Sequence, residues 1–246
     1  MIWLRSFFYQ LVFWLSTFAF SCAIVIAAGR NRQSAAASRL ANTWGRFNLW
    51  ALRTICHLDY RIHGLENIPQ TNVIVLAKHQ STWETVSIRA LLPSQQSWVL
   101  KQELMRVPFF GWAMRQLQPI AIDRQAGRRA GAQVIRDGQQ RLAAGRWVIV
   151  FPEGTRVAPG TRRPYALGGA VLAERSGYPV LPIAHNAGEF WGRRSLLKRP
   201  GTIDLVIGTL RETKGRSAGE INAEVETWIE ATVAALPKHT GTADSE

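Results

Sequence analysis

Short apolar runs recur along the chain from residue 72 onward, and segments with helical spacing separate several of them. The runs are rich in β-branched residues and almost free of polar ones, a pattern typical of strands buried on both faces. Their alternation with helices predicts an α/β fold whose central sheet is mostly parallel and flanked by helices. The predicted strands are 72–77, 98–100, 119–122, 147–151, 180–184 and 203–207, and the predicted helices are 83–92, 108–117, 127–144, 167–176 and 218–235.

A stretch of 24 residues without a charge, from Ser6 to Gly29, precedes this region. As a helix it has a length of about 36 Å, enough to cross a hydrocarbon core of roughly 30 Å. Aromatic side chains crowd its first half, as in a membrane-interface belt. A cleaved signal peptide and a helix lying in the interface are the alternatives, so we expect membrane association and leave the depth of insertion open.

A second helix is predicted over residues 36–57. Arg39, Arg46 and Arg53 cluster on one flank of it, which suits either an anionic lipid surface or the solvated side of a packed helix. Its position directly after a membrane-length run favours the lipid. We therefore expect a membrane-associated helical pair in residues 1–58 and one α/β domain in residues 59–246. The predicted apolar stripe of the second helix is Leu40, Trp44, Phe47, Ala51, Ile55 and Leu58.

Arginine dominates the charge of the chain, which is +13 from 30 Lys and Arg against 17 Asp and Glu. Arginines make up 25 of the 30 basic residues, and a guanidinium binds phosphate through two parallel hydrogen bonds. Phosphate-bearing partners are therefore expected, whether nucleic acid, lipid headgroups or small molecules. Arginines are also denser after the apolar run, beginning with Arg30 and Arg32, which places the body of the protein in the cytoplasm. Two cysteines give no metal-ligand spacing, and no metal is expected.

His79 and Glu84 come directly after the predicted strand that ends at Ala77. A neutral imidazole accepts a proton near pH 7, and a carboxylate bonded to its other ring nitrogen fixes the tautomer. Five residues of regular helix turn by about 500°, so the two side chains meet only if the helix begins near Ser81 or Thr82. Taken alone, the spacing favours a capping histidine and a first-turn glutamate over a catalytic pair.

Residues 151–156, with the sequence FPEGTR, follow another predicted strand. Gly154 permits close approach of the backbone, Thr155 offers a hydroxyl and an amide, and Arg156 supplies a forked cation. The segment is not a P-loop, which needs GxxxxGK[ST], but it suits a phosphate. Arg124 ends a further strand, and because functional residues gather at the carboxyl ends of parallel strands, the two arginines can converge on one anion.

Four ordered segments resemble the motifs of the glycerolipid acyltransferases, most closely those that acylate lysophosphatidic acid. They are HQSTWE at 79–84, IDR at 122–124, FPEGTR at 151–156 and VLPI at 180–183. The resemblance covers roughly residues 60–210 and the N-terminal helices, and the intact FPEGTR block is highly specific. It reverses the interpretation of His79 as a cap.

The resemblance implies a role for several individual residues. His79 becomes the general base and Glu84 its partner, at a position where the family usually has aspartate; the extra methylene requires the turn to sit slightly farther back. Lys101 resembles a family lysine near the same site. The implied acceptor-binding residues are Glu153, Gly154, Thr155 and Arg156, with Arg124 at the phosphate.

The implied reaction moves a fatty acyl group from acyl-CoA or acyl carrier protein to the sn-2 hydroxyl of lysophosphatidic acid, giving phosphatidic acid. No GxSxG elbow is present and Cys22 lies in the apolar run, so nothing marks a covalent nucleophile, and no cofactor beyond the thioester is expected. The expected location is the inner membrane, with the catalytic domain on the cytoplasmic side and anionic membrane as a partner.

Two other functions remain open from the residues. One is an acyltransferase for glycerol-3-phosphate or a lyso-aminolipid, and the other is a non-enzymatic basic protein that binds nucleic acid or anionic membrane. No nucleic-acid motif is visible, so nucleic acid is not expected as a partner. Two minor expectations are a structural hydrogen bond for His185 and a mainly buried position for the aromatic segment 108–114, with an acyl groove as the alternative for that segment.

Overall fold

A seven-stranded sheet forms the centre of the computed structural model, which describes residues 1–29, 35–93 and 95–239. The strand order is β1-β7-β6-β2-β5-β3-β4, and every neighbouring pair is parallel except β6 and β7. The predicted mostly parallel sheet is therefore confirmed. The strands are β1 (Leu58–His63), β2 (Ile74–Ala77), β3 (Gln96–Lys101), β4 (Ile120–Ile122), β5 (Trp147–Val150), β6 (Val180–His185) and β7 (Gly201–Ile207).

Eight α-helices accompany the sheet in the described residues. Each helix predicted from the sequence is present, with ends that differ by no more than a few residues. The four-residue helix α7 was not predicted, because one turn carries no periodicity. The helices are α1 (Ile2–Ala28), α2 (Ala35–Cys56), α3 (Trp83–Leu91), α4 (Phe110–Gln116), α5 (Arg128–Ala143), α6 (Gly168–Ser176), α7 (Ala187–Phe190) and α8 (Ala218–Ala235).

Both faces of the central strands are buried, which explains their continuous apolar sequences. Successive side chains of a strand point to opposite faces of the sheet. In β2, Val75 and Ala77 belong to the core cluster that α1, α2 and α3 cover, while Ile74 and Leu76 belong to the cluster beneath α5, α6 and α8. All four side chains are fully buried. A polar residue on either face would lose its hydration, so the run admits none.

The first strand was not predicted because its sequence alternates polar with apolar residues. β1 pairs with β7 alone, and its sequence LDYRIH alternates polar with apolar residues. An edge strand exposes one side to water and carries charges that discourage pairing with another chain. The criterion of an uninterrupted apolar run therefore finds central strands and passes over this one.

The buried surface of α2 is wider than the predicted stripe. Ala37, Ala41 and Gly45 are buried, whereas Leu40 and Phe47 are only half-buried. The reason is that α2 lies between α1 and α3 and approaches α3 closely: a Cβ on Gly45 would lie 2.9 Å from the carbonyl oxygen of Val86. Close helix packing selects small residues, so a stripe defined by large apolar ones misses this second face. The predicted stripe does contact the core: Ala51 is fully buried, and Trp44 and Ile55 pack against the cluster.

The two N-terminal helices share a core with the α/β region. Tyr9 of α1 and Leu49 and Leu52 of α2 lie in the same cluster as the sheet residues Leu58 and Val75. Arg30 and Arg32, which the sequence analysis used for orientation, lie outside the described residues. The division of the chain at residue 58 stays a prediction.

We expect alanine to have opposite effects at two helical glycines. Gly45→Ala should lower the free energy of unfolding by about 1–3 kcal/mol, because the new methyl group collides with the α3 backbone. Gly131→Ala should raise it by about 0.5–1 kcal/mol, because no atom lies within 4 Å of a Cβ there and alanine favours the helix. Denaturant unfolding in detergent measures both; equal effects would refute the close α2–α3 packing.

Candidate active site

The central strands β2 and β5 bring two of the motif segments to one edge of the sheet. β2 and β5 are parallel neighbours, so residues 78–84 and 151–156 both leave the sheet at the carboxyl ends of these strands. The N–H of Val157 donates to the carbonyl oxygen of His79 at 2.8 Å, which joins the two segments directly. The segment of His79 and the segment of Arg156 therefore lie side by side at one edge of the sheet.

His79 and Glu84 form a hydrogen-bonded pair. Nδ1 of His79 lies 2.7 Å from Oε1 of Glu84, and α3 begins at Trp83 with Glu84 in its first turn, as predicted. The imidazole therefore carries its proton on Nδ1, and the lone pair on Nε2 is its acceptor. The side chain of His79 keeps 10% of its surface exposed while that of Glu84 keeps none. Glutamate in place of aspartate leaves the pairing intact.

The Glu84 carboxylate organises the turn between β2 and α3. Oε1 accepts hydrogen bonds from the N–H of Gln80 at 2.9 Å and of Ser81 at 2.8 Å, besides the one from His79. Burial alone would raise the pKa of Glu84, but the neighbouring imidazoles of His185 and His79 and the N–H of Ser81 hold the pKa below its ordinary value. The carboxylate is therefore ionised at neutral pH.

His185 of β6 hydrogen-bonds to the backbone where this turn begins. Its Nε2 donates to the carbonyl oxygen of Lys78 at 2.9 Å, and its Nδ1 accepts from the N–H of Ala187 at 3.2 Å. Both ring nitrogens are occupied, the residue is fully buried, and burial lowers its pKa. The predicted structural hydrogen bond of His185 is confirmed.

Phe151 stacks on the ring of His79, a contact that the sequence analysis missed. The two ring centroids lie 4.0 Å apart and the planes are inclined by only 10°. Trp98 of β3 packs against Phe151 in turn, at 5.7 Å between ring centroids. Together with the bond to Glu84, this stack fixes the orientation of the imidazole. In the sequence, the one signal for this stack was the presence of Phe151 as the first residue of FPEGTR.

Within the FPEGTR block, the backbone and Glu153 have structural roles. Gly154 has φ of +68°, in the left-handed region that favours glycine, and its N–H closes a turn onto Phe151. The side chain of Glu153 is fully buried, and its Oε1 accepts from the N–H of His79 at 3.2 Å. Glu153 therefore lies behind His79. The resemblance implies that Glu153 contacts the acceptor, but its side chain has no exposed surface for such a contact.

Arg156 and Thr155 are half-buried next to the His79–Glu84 pair. Burial lowers the pKa of Arg156, and the charge of Glu84 opposes that effect, so the guanidinium lies within electrostatic reach of the carboxylate. Arg193, in the turn after α7, lowers the same pKa further, so a second guanidinium lies near Arg156. Arg193 was not predicted because no motif contains it; the pair of consecutive arginines, Arg193 and Arg194, was the available signal.

The remaining predicted residues lie farther along the sheet edge. β3 and β4 follow β5 in the strand order, so Lys101 and Arg124 leave the sheet two and three strands away from His79. Nζ of Lys101 forms an ion pair with Glu103 at 2.8 Å, and the lysine side chain is half-exposed. Arg124 begins the 3-10 turn Arg124–Ala126, and its side chain lies outside what the structure describes.

The aromatic segment after β3 is more exposed than predicted. Gly111 and Ala113 of α4 are buried, but Phe109 and Trp112 are 39% and 45% exposed. The ring of Phe109 packs against Phe18 of α1, with 4.9 Å between centroids. The expectation that these aromatics belong to the core is wrong for Phe109 and Trp112, because they extend the apolar surface of α1.

An imidazole–carboxylate pair beside arginine at the strand ends of an α/β sheet supplies the groups that base-assisted transfer to an anionic acceptor would need. Comparison with known proteins gives the class. The family model described as Acyltransferase matches residues 59–186. The 1-acyl-sn-glycerol-3-phosphate acyltransferase of Pseudomonas aeruginosa is 44% identical over 200 residues, which are 80% of this chain and 77% of that protein. The chain belongs to the acyltransferase family and is an acyltransferase.

More distant relatives agree in family and fold. The 1-acyl-sn-glycerol-3-phosphate acyltransferase of Helicobacter pylori is 29% identical over 142 residues, covering 55% of this chain and 60% of that protein. The crystal structure of the 1-acyl-sn-glycerophosphate (LPA) acyltransferase of Thermotoga maritima superimposes with a TM-score of 0.78, over 95% of this chain and 97% of that one, at 24% identity. That similarity shows a shared fold that includes the N-terminal helices.

The carboxyl group of Glu153 should make stability depend on pH. Burial raises its pKa to about 7, although Lys78 acts in the opposite direction. Between the pKa of an unfolded glutamate and that value, the folded chain binds the extra proton, so the free energy of unfolding falls as pH rises through this window. The shift corresponds to about 3 kcal/mol.

Unfolding of the wild type and of Glu153→Gln, measured from pH 4.5 to pH 8 in the same detergent, isolates this contribution. Glutamine does not titrate, so the wild type should lose about 3 kcal/mol more than the variant over this range. A difference between the two proteins that is constant with pH would contradict the raised pKa.

Proposed function

We propose that this chain transfers a fatty acyl group from a thioester to the sn-2 hydroxyl of lysophosphatidic acid, which yields phosphatidic acid. The observation that carries the proposal is the 2.7 Å pair of His79 and Glu84, which lies beside Arg156 at one edge of the sheet. Relatives that bear the name 1-acyl-sn-glycerol-3-phosphate acyltransferase support the choice of acceptor.

His79 acts as the general base in this scheme. With its Nδ1 proton held by Glu84, Nε2 takes the proton of the acceptor hydroxyl as the hydroxyl oxygen attacks the thioester carbonyl. The carbon–sulfur bond then breaks, and the imidazolium returns the proton to the departing thiolate, which leaves an ester and a free thiol. The ionised Glu84 stabilises the imidazolium between the two proton transfers.

The acyl group moves directly from donor to acceptor. A thioester is already activated, so the scheme needs no covalent acyl-enzyme and no cofactor beyond the donor itself, acyl-CoA or acyl carrier protein. Of the two cysteines, Cys56 is buried and Cys22 lies in α1. Neither belongs to the site around His79.

Arg156 binds the acceptor phosphate and so holds the hydroxyl beside His79. A guanidinium binds phosphate through two parallel hydrogen bonds, and this fixed geometry orients the rest of the acceptor, including its hydroxyl. Thr155 and the turn at Gly154 complete the cradle, Arg193 adds a second positive charge, and we assign Arg124 and Lys101 to the same acceptor by resemblance.

α1 attaches the enzyme to the membrane. Among the described helices, it is the one long and apolar enough to cross a bilayer. Its outward side chains are large and apolar, as on a helix that enters the lipid interface. Those more than half exposed include Trp3, Leu4, Phe7, Phe8, Trp14 and Leu15.

Both ends of α1 are fastened to the body, which favours a helix lying in the interface over one crossing the bilayer. At the N-terminal end, Lys198 donates from its backbone N–H to Ser6 Oγ at 2.9 Å and from Nζ to Gln10 Oε1 at 2.7 Å. At the other end, Ile24 packs in a cluster with Leu117 of the segment after α4. We place the catalytic site on the cytoplasmic side of the inner membrane, because the anionic cytoplasmic leaflet attracts the exposed arginines of α2 next to α1.

Two substitutions separate the base from the phosphate site. His79→Ala should lower kcat by about 100-fold or more, because no base remains at Nε2. Arg156→Lys should raise the KM for lysophosphatidic acid about tenfold or more with a smaller change in kcat, because lysine cannot grip phosphate bidentately.

The measurement is transfer of labelled acyl-CoA to lysophosphatidic acid on isolated membranes, with glycerol-3-phosphate and a lyso-aminolipid as competing acceptors. His63→Ala on β1 and Arg175→Lys at the end of α6 are the matched controls. Wild-type turnover in His79→Ala, or unchanged acceptor kinetics in Arg156→Lys, would overturn the respective assignment. A preference for another acceptor would replace the proposed substrate.

A charge placed on the apolar face of α1 should release the protein from lipid. Trp14→Glu should weaken binding to anionic vesicles about tenfold or more, because it removes a large apolar side chain from the interface and adds a carboxylate. Gln140→Glu, which adds the same charge to the exposed face of α5 beyond the other side of the sheet, should bind as the wild type does. Equal binding by both variants would show that α1 is not the attachment surface.

A further inference from the structure

A buried lysine lies next to the base and has no part in the mechanism above. Lys78 is 1% exposed, and its Nζ forms ion pairs with Oε1 of Glu230 at 2.5 Å and with Oε1 of Glu153 at 3.3 Å. Glu230 belongs to α8, 152 residues farther along the chain, and its Oε1 also accepts from the hydroxyl of Tyr165. A buried ammonium requires such partners, because leaving it unpaired is strongly unfavourable.

This ion pair continues to the backbone of His79. Oε1 of Glu153, the atom that faces Lys78, also accepts the N–H of His79. The same peptide group, which joins residues 78 and 79, has its carbonyl oxygen bonded by His185. Buried side chains therefore hold both polar groups of the peptide plane from which the imidazole projects.

The orientation of that peptide plane sets the direction of the His79 side chain. Lys78 Nζ draws the Glu153 carboxylate into place, and Glu230 fixes Lys78 from the C-terminal helix. We propose that Lys78 is a positioning residue for the base: held by Glu230, it aligns Glu153 on the His79 N–H and so aims the imidazole at the acceptor. The inference rests on the proposed function, since it assumes that His79 is the base.

The proposal assigns Glu153 to the base rather than to the acceptor. Its side chain is fully buried and shares one oxygen between Lys78 and His79. A residue that binds the acceptor changes KM when it is replaced, whereas a residue that aims the base changes kcat. The two roles therefore differ in a measurable quantity.

Structural and positioning roles are distinguished by a double variant. Lys78→Met alone leaves the buried carboxyl groups of Glu230 and Glu153 without their shared ammonium and destabilises the fold. Lys78→Met combined with Glu230→Gln removes the closest charge pair. Burial already raises the pKa of Glu153, so without Lys78 this carboxyl takes up a proton, no buried charge is left unpaired, and folding is restored. If the pair aims His79, the double variant is folded but slow, with kcat at least tenfold lower and the KM for lysophosphatidic acid within twofold of the wild-type value.

Glu153→Gln is the second variant, in case the double variant does not fold. It keeps the Lys78–Glu230 pair and the size of the side chain, but offers a neutral acceptor to the His79 N–H. The same fall in kcat at unchanged KM is expected. Glu224→Gln is the matched control on α8: its carboxylate pairs with Arg211 and Arg216 at the surface, so kcat should not change.

The experiment is steady-state acyl transfer from acyl-CoA to lysophosphatidic acid by the full-length variants, with thermal unfolding in the same detergent. A folded double variant with wild-type kcat, or a Glu153→Gln variant that changes KM alone, would overturn the positioning role. Failure of the proposed function looks different, because the wild type would then transfer nothing to this acceptor or His79→Ala would remain active.

Discussion

The buried carboxylate of Glu84 is the centre around which the site is built. An ionised group with no exposed surface needs hydrogen-bond donors, and the chain supplies them from the N–H groups of Gln80 and Ser81 and from Nδ1 of His79. Meeting that need forces the backbone to turn directly after β2 and to start α3 at Trp83. The tautomer of the imidazole, the path of the loop and the start of the helix are thus consequences of one buried charge.

Much of the architecture was predictable because burial requires apolar residues at positions that the sequence shows directly. The central strands read as uninterrupted apolar runs since both faces of the sheet are covered, and the long helices read as periodic patterns. β1 was harder to recognise in the sequence, since it alternates polar with apolar residues. For α2 the prediction located the helix and one of its packed faces but missed the face toward α3, because the close approach at Gly45 selects small residues over large ones.

The site was predictable only as far as its motifs are contiguous. The spacing of His79 and Glu84 permitted a pair only if the helix began near Ser81 or Thr82, and the resemblance selected that pair and the arginine beside it. Other contacts join residues that are distant along the chain, and no local pattern encodes them. They are the stack of Phe151 on His79, the Lys78–Glu230 ion pair and the approach of Arg193 to Arg156. Glu153 shows the limit most clearly, since a motif gives its presence but only packing shows that it lies behind the base.

The fastening of α1 through Lys198 bears on how the catalytic region can be isolated. That lysine is fully buried, with its ammonium over the rings of Tyr9 and Trp191 and bonded to Gln10. Deleting the first helix would remove Tyr9 and Gln10 from this cation and expose Trp191 to water where the Tyr9 ring had packed against it. The lipid-facing helix is therefore not a detachable tether, and a water-soluble fragment requires redesign of the surface it leaves behind.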